Sequence, residues 1–173
     1  MKPFLGRLRV ELNLLRQILK YGSWAMTRLL DGAGGLTDAA LDQPFDMGVG
    51  SLRVTLLHIY NGELVWLGRW KGERDTPWPS EDERVSVAAL RERFAANDVA
   101  REAFLKSLAP DDLDGTITYR DSRGSLFDAT LRDMLIQGIL HSHHHRAQAA
   151  NMLRRVGGPA IDLDYMYHVR TPA

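Results

Sequence analysis

Leucines recur every three or four residues along the first thirty positions, and this spacing constrains the fold more than any other feature of the chain. The leucines are Leu5, Leu8, Leu12, Leu15 and Leu19, and the series continues through Met26 and Leu29. Residues three and four apart share one face of an α-helix, so the pattern predicts an amphipathic helix over about residues 4–30. Such a helix lies either on a membrane surface or in a bundle core, and the bundle is the commoner case.

A glycine-rich run, residues 32–35, follows this predicted helix. Glycine-rich runs also bind phosphate groups, but in those motifs the run follows a strand and begins a helix. Here the run comes after a helix. We therefore interpret it as a helix C-terminus, where glycine adopts the conformation that ends the helix.

Apolar residues with helical spacing predict three more helices, over about residues 51–71, 86–108 and 130–156. Ser51 is a good N-cap for the first of them, and Thr130 with Asp133 three residues later resembles a capping box for the last. The middle one carries its apolar side chains at Leu90, Phe94, Val99, Phe104 and Leu108. Four helices with two long connections are typical of a four-helix bundle, so we expect an all-α protein with a single domain over residues 1–173.

The segments between and after the helices are shorter and less regular. Residues 72–80 contain two prolines and are predicted to be a crossover loop, whereas residues 116–127 predict a short β-hairpin before the last long helix. A two-stranded hairpin is marginal alone, so we expect it to pack on the bundle. The tail, residues 160–173, is predicted to be irregular and to dock through Tyr165, Met166 and Tyr167.

Charge and cysteine content exclude several classes of function. The chain has 22 basic and 22 acidic residues, and no basic block gives an electrostatic reason to bind nucleic acid. The absence of cysteine excludes disulfides, thiolate ligands and a cysteine nucleophile. The N-terminal residues lack the apolar run of a secretory signal, and no stretch approaches the roughly 20 apolar residues of a membrane span. We therefore expect a cytoplasmic protein whose partner is a small-molecule substrate.

Four of the six histidines fall within residues 141–145. His141 and His145 are four apart and therefore share one helix face, on a stripe that also contains Leu135 and Met152. Buried imidazoles without partners cost roughly 1–3 kcal/mol for each unsatisfied group. A bound metal ion resolves this problem by accepting a lone pair from each ring.

His58 lies on the predicted inner side of the second helix and is a candidate third ligand. A lone core-facing histidine is more often a hydrogen-bonded core residue, so this assignment depends on the two helices being neighbours. His144 lies three residues from His141 and therefore competes with His145 as a ligand. We expect His143 to be exposed and His168, in the tail, to be structural or solvated.

These residues resemble the DinB/YfiT family of metalloenzymes. Residues 141–148 read H-S-H-H-H-R-A-Q, close to the family pattern H-x-x-H-H-R-G-Q, with Ala147 where glycine is usual. Other matches follow in the family's order, at residues 20–25 (K-Y-G-S-W-A), 56–59 (L-L-H-I) with Trp66, 154–158 (R-R-V-G-G) and 162–164 (D-L-D). An alanine is well tolerated in a helix, so the departure at Ala147 is not expected to disturb the site.

The resemblance implies a four-helix bundle with two crossover connections, commonly a homodimer, with His58, His141 and His145 as metal ligands and His144 beside the site. It also implies a divalent ion, zinc or nickel, and an enzyme of the transferase or isomerase type that uses a low-molecular-weight thiol. Because the chain has no cysteine, that thiol has to come from a cosubstrate.

Other candidate residues are less constrained. Gln148 lies one turn beyond His145 and is expected to hydrogen-bond a ligand or substrate, or else a neighbouring helix. Arg146 is expected to pair with an anionic cosubstrate, or else to be solvated or at a dimer contact. Tyr21 and Trp24 line the pocket or pack in the core, the core being favoured.

Glu63 and Asp133 are conceivable carboxylate partners of the metal ligands, and the sequence nominates no general base. The competing hypothesis is a non-catalytic, metal-stabilised module for stress response or protein interaction. A roomy, partly apolar pocket beside the three histidines would favour the enzyme, and tight packing over them would favour the module.

Overall fold

The computed structural model describes residues 2–172, with side chains from residue 10 to residue 172. The predicted apolar positions Leu5 and Leu8 lie outside the described side chains. From Leu12 onward the leucine stripe is buried as predicted, with Leu12 2%, Leu19 8% and Leu29 1% exposed.

Four long helices and several short elements make up the chain. The long helices are α1 (Lys2–Ala33), α3 (Leu52–Trp70), α4 (Val87–Ser107) and α5 (Leu131–Arg155). The short elements are α2 (Asp38–Leu41), a 3-10 helix (Pro110–Asp114), strands β1 (Thr116–Arg120) and β2 (Leu126–Thr130), and α6 (Tyr165–Val169). The predicted all-α fold with a small hairpin is confirmed, while α2, the 3-10 helix and α6 were not predicted.

The starts of three long helices follow from single capping side chains. The hydroxyls of Ser51, Ser86 and Thr130 accept hydrogen bonds from the backbone N–H three residues ahead, at 3.3, 3.1 and 3.1 Å. Each bond satisfies one of the N–H groups that a helix leaves without an internal partner. The predicted boundaries of these helices are therefore correct to within one residue.

The order of helices around the bundle differs from their order in the chain. α1 packs mainly on α4 and α5, and α3 packs mainly on the same two helices. Thus the connections from α1 to α3 and from α4 to α5 both cross the bundle, which gives the two crossover connections that were predicted. Residues 72–80 join the neighbours α3 and α4, so the prediction that this loop is a crossover is wrong; the second crossover carries the 3-10 helix and the hairpin.

The apolar core is divided into two clusters along the bundle axis. One contains Leu29, Leu56 and Leu153, and the other contains Leu19, Trp70 and Leu135. Between them each long helix contributes polar side chains, of which Arg101 and Arg146 are 6% and 3% exposed. The histidines of interest lie at this middle level of the bundle.

The tail docks on α1 through Tyr165, as predicted, and also through residues that were not predicted. Met166 and Tyr167 are 59% and 42% exposed, and of the three predicted residues only Tyr165 contacts the ring of Tyr21. The Tyr21 hydroxyl donates to the Leu163 carbonyl oxygen at 2.5 Å. The docking is therefore made partly through the backbone, which apolar residue types do not reveal.

Candidate metal centre

Three histidines from two neighbouring helices converge at the middle of the bundle. His58 lies on α3, and His141 and His145 lie one turn apart on α5. One ring nitrogen from each lies within 4.8 Å of the other two. The ring centroids are 5.2 Å (His58–His141), 4.4 Å (His58–His145) and 4.7 Å (His141–His145) apart. The structure thus brings together the three residues singled out as ligands.

The segment that joins α3 to α4 orients His58. Its Nδ1 lies 2.6 Å from Oε1 of Glu81, and the Trp78 indole N–H donates to the same oxygen at 2.8 Å. Because a carboxylate accepts, His58 carries its proton on Nδ1 and presents the lone pair of Nε2. A ligating histidine commonly donates its other N–H to a carboxylate in this way.

Gln148 orients His145 and holds His144 beside it. The His145 Nδ1–H donates to Oε1 of Gln148 at 2.8 Å, and the Gln148 amide nitrogen donates to Nε2 of His144 at 3.1 Å. A side chain at Gly48 would place its Cβ 2.5 Å from the same amide oxygen, so the loop before α3 approaches closely only because it has glycine there. His144 therefore lies outside the three-histidine cluster.

His141 is the most buried of the three rings. Its Nδ1 is buried and has no hydrogen-bond partner in the described structure. A Cβ added at Gly62 would lie 2.5 Å from Cε1 of His141, so glycine on α3 is what lets the ring approach that helix. Burial lowers the pKa of His141 to about 4 and also lowers that of His145, with the neighbouring histidines adding to both effects. Both rings are therefore neutral near pH 7, and each can donate a nitrogen lone pair to a metal ion.

These donors fit a divalent transition-metal ion. Imidazole nitrogens suit zinc, nickel, copper or iron, and a neutral ring has a free lone pair for such an ion. Zinc–nitrogen bonds are about 2.0–2.1 Å long, so two nitrogens on one ion are at most about 4.2 Å apart. The observed spread of up to 4.8 Å requires only a small movement of the rings.

A cavity of about 450 Å³ lies against the cluster and includes His141 in its wall. Aromatic side chains contribute much of that wall, at Trp66, Trp78 and Tyr119. Its volume falls within the range of about 300–1,000 Å³ typical of small-molecule sites. The site is thus open on one side rather than closed by packing.

Apart from Gln148, which contacts His145, the other candidate residues do not contact the three histidines, although Asp133 lines the same cavity as His141. Arg146 is 3% exposed and lies 3.7 Å from Glu63, while Tyr21 and Trp24 pack beside the tail, with His168 against Trp24. Asp133 accepts from the Thr130 hydroxyl at the start of α5, and His143 is exposed. Neither Glu63 nor Asp133 contacts a histidine of the cluster.

Glu81 is the contact that sequence reasoning missed. It lies 23 residues after His58, in a segment without helical or strand periodicity. The one usable signal was the proximity of Trp78 to Glu81 in the chain, since an indole N–H and a carboxylate are natural partners.

Comparison with models of protein families shows which family the chain belongs to. Residues 9–171 match the DinB family. The chain belongs to the DinB family. A comparison with curated proteins finds no match.

Solved structures of DinB-family proteins share the fold at low sequence identity. A DinB-like protein from Bacillus cereus ATCC 10987 is 21% identical with a TM-score of 0.68, over 86% of this chain and 94% of that one. A DinB family member from Shewanella denitrificans is 16% identical with a TM-score of 0.64, over 95% and 96%. YfiT from Bacillus subtilis, described as a probable metal-dependent hydrolase with an unusual four-helix bundle topology, is 19% identical with a TM-score of 0.56, over 83% and 87%.

Membrane spanning has no support in the described part of this DinB-family chain, where every helix is too short or too polar to cross a bilayer.

Proposed function

We propose that this DinB-family protein is a metal-dependent enzyme that holds one divalent ion through His58, His141 and His145. The observation that carries the proposal is the opening of the three-histidine cluster into a cavity of about 450 Å³ at His141. A purely structural site uses four protein ligands and is closed, whereas three protein ligands leave a position for a reactant. When bound, the ion lowers the pKa of a coordinated water or thiol and polarises a carbonyl group.

The protein's own residues orient the donors and shape the reaction space. Glu81 and Gln148 fix the protons of His58 and His145 on Nδ1, so the opposite nitrogens point inward. Trp78 both donates to Glu81 and lines the cavity, which couples the ligand geometry to the cavity wall. The aromatic walls provide an apolar environment in which charge interactions are stronger than in water.

The finer form of the proposal is a transferase or isomerase that uses an external low-molecular-weight thiol, with zinc or nickel as the ion. With no cysteine in the chain, a thiol nucleophile must enter as a cosubstrate. In the transfer, the S–H bond breaks as sulfur forms a bond to an electrophilic carbon. In an addition, a multiple or strained bond of the electrophile opens and takes up the proton; in a substitution, the leaving group departs with its bonding electrons and the proton passes to solvent. This chemistry suits the cytoplasm, where such thiols stay reduced. We also propose a homodimer that acts on small molecules and not on nucleic acid or membranes.

Hydrolysis is the second candidate, because YfiT is described as a probable metal-dependent hydrolase. It needs the same ligands, with water in place of the thiol. A non-catalytic, metal-stabilised module for stress response or interaction is the remaining alternative. The open cavity beside His141 favours an enzyme over that module.

The first experiment is elemental analysis of untagged protein, comparing wild type with His58→Ala, His141→Ala and His145→Ala. We expect close to one ion per chain in wild type and loss of that ion in each variant. His143→Ala is the matched control, because His143 is exposed on the same helix. A wild type that binds no ion after careful loading, or variants that keep it, would contradict the proposal.

Activity assays then separate the candidate reactions. Loaded wild type and His141→Ala are compared with a panel of small thiols and an activated aryl chloride, and separately with 4-nitrophenyl acetate and no thiol. Turnover that requires thiol supports transfer, and turnover without thiol supports hydrolysis. If neither occurs but the ion raises the melting temperature, the structural module is the better interpretation.

A further inference from the structure

The cavity beside His141 has a buried arginine in its wall, and no carboxylate in the described part of the chain forms an ion pair with it. Arg69 is 7% exposed, and its Nη2 donates to the Arg120 carbonyl oxygen at 2.9 Å. Its guanidinium lies 4.8 Å from the Trp66 ring centre and 5.0 Å from that of Tyr119. Its Nε is buried without a hydrogen-bond partner, and no described carboxylate lies within 4.0 Å of the guanidinium.

The other buried arginines of the described structure show how unusual this is. Arg53 pairs with Asp38 and Asp42, and Arg101 and Arg146 both face Glu63. Burying an unpaired charge costs free energy, and the two aromatic rings offset only part of that cost. Burial accordingly lowers the pKa of the Arg69 guanidinium, which remains charged at neutral pH.

The carboxylates of the cavity wall are already engaged by the backbone or by a hydroxyl. Oδ1 of Asp121 accepts from the N–H groups of Arg123 and Ser125 in the hairpin turn, at 2.9 and 2.8 Å. Oδ2 of Asp133 accepts from the Thr130 hydroxyl at 2.6 Å. Neither forms an ion pair with Arg69, although Asp121 is near enough to favour its charged form.

We propose that Arg69 binds the carboxylate of a small substrate or cosubstrate whose apolar body packs against Trp66 and Trp78 and whose reactive end reaches His141. The inference rests on the proposed function, because it places a reactant between a ligand of the ion and an anion-binding group. Arg69, Trp66, Trp78 and His141 all line the same 450 Å³ cavity. A guanidinium is the side chain best shaped for a planar carboxylate.

The test measures binding of two probes of similar shape, phenylacetate and its neutral amide phenylacetamide, by ligand-observed NMR. It uses metal-loaded and metal-free wild type and Arg69→Gln. We expect wild type to prefer phenylacetate by about tenfold or more, as for a hydrogen bond to a charged group, with or without metal. Arg69→Gln should bind the two probes equally. Equal binding by wild type, or an undiminished preference in Arg69→Gln, would overturn the proposal.

A second variant avoids the risk that losing Arg69 disturbs the hairpin. Gln137 is exposed on α5 and lines the same cavity, so Gln137→Glu should fold and should weaken phenylacetate binding severalfold by repulsion. Gln17→Glu makes the same charge change at an exposed position of α1 outside the cavity and should have no effect. Equal effects of the two variants would contradict a carboxylate subsite.

Metal dependence separates this inference from the proposed function. If the phenylacetate preference is lost when the metal is removed but survives Arg69→Gln, the carboxylate binds the ion. The inference then fails while the metal site stands. A preference that needs Arg69 in a chain that never binds metal supports the subsite while the proposed function fails.

Discussion

Two groups of buried polar side chains occupy the middle of the bundle, and different interactions satisfy them. The arginine–glutamate cluster consists of Glu63, Arg101 and Arg146, with Asp98 as a second carboxylate on Arg101; Glu63 presents Oε2 to Arg101 at 2.8 Å and Oε1 to Arg146 at 3.7 Å. The histidine cluster consists of His58, His141 and His145, and no described carboxylate lies among its converging nitrogens. The first cluster contains opposite charges that neutralise each other, whereas the second consists of neutral or titratable rings whose nitrogens converge.

The surroundings of the two clusters differ in chemistry more than in space. The cavity of about 20 Å³ beside Arg146 is the size of a single water molecule and adjoins Nε of Arg146, which has no hydrogen-bond partner in the described structure. Arg101 and Arg146 also line wider clefts of about 450 and 250 Å³, and the histidine cluster adjoins one of about 450 Å³. Opposite charges that neutralise each other indicate a structural role, whereas neutral lone-pair donors beside open space indicate a binding role.

The largest expected effect is the loss of the carboxylate that faces both arginines. Glu63→Ala leaves the buried Arg146 guanidinium without an ion-pair partner and leaves Arg101 with Asp98 alone, so we expect the free energy of unfolding to fall by about 3–5 kcal/mol. Urea denaturation of metal-free protein measures it. Metal bound per folded chain should stay the same, because Glu63 touches no histidine of the other cluster. Glu102→Ala breaks an exposed ion pair on α4 and should change stability little. A loss below about 1 kcal/mol for Glu63→Ala, the level of a surface pair, would contradict the comparison.

Added metal should stabilise the protein only through the histidine cluster. At an ion concentration of 100 times Kd, the stability of wild type should rise by about 2.7 kcal/mol, since only the folded state binds the ion. His58→Ala should lose this increment. Because the ring is largely buried and bonded to Glu81, the metal-free stability should also fall, so the increment is measured within each variant. Thermal and urea unfolding with and without zinc test this. An equal increment in His58→Ala would mean that the ion binds elsewhere.

The sequence predicted the helices well because their periodicity and caps are local. It did not predict the middle of the bundle, because polar residues are buried there and an apolar residue is exposed. Val99 was expected to be apolar core and is 70% exposed, while its neighbours Asn97 and Arg101 are buried. On α5 the centre of the buried face runs through Ser142 and Arg146, so the predicted histidine stripe lies on its edge.

What the sequence could not supply are contacts between distant segments. Glu81, Gly62 and Gly48 each shape the histidine cluster, and apart from Trp78 three residues before Glu81, nothing local distinguishes them from other glutamates and glycines. The three histidines were predicted partly because His141 and His145 are four apart on one helix, a local relation. Their partner on α3 depended on which helices are neighbours, a tertiary property that the resemblance to the DinB family supplied.

Glu81→Gln should weaken metal binding by the histidine cluster without affecting the arginine–glutamate cluster. The charged acceptor that holds the Nδ1 proton of His58 becomes a neutral amide, and loss of such a partner typically lowers metal affinity by 10–100-fold. Competition with a chromophoric chelator measures the affinity. Glu83→Gln, two residues along the same segment and paired with exposed Arg93, is the matched control and should leave affinity unchanged. Equal affinities for the two variants would show that Glu81 does not orient His58.

Gln148→Ala should have the smallest effect of the series and should separate the roles of the two adjacent histidines. Its amide oxygen accepts a neutral hydrogen bond from His145, worth about 1 kcal/mol, so metal affinity should fall by only about fivefold. His144→Ala removes the outer partner of that amide and should reduce affinity less than Gln148→Ala does. The same chelator competition ranks the two variants. If His144→Ala instead abolishes metal binding, His144 is a ligand and belongs to the histidine cluster rather than to the residues that support it.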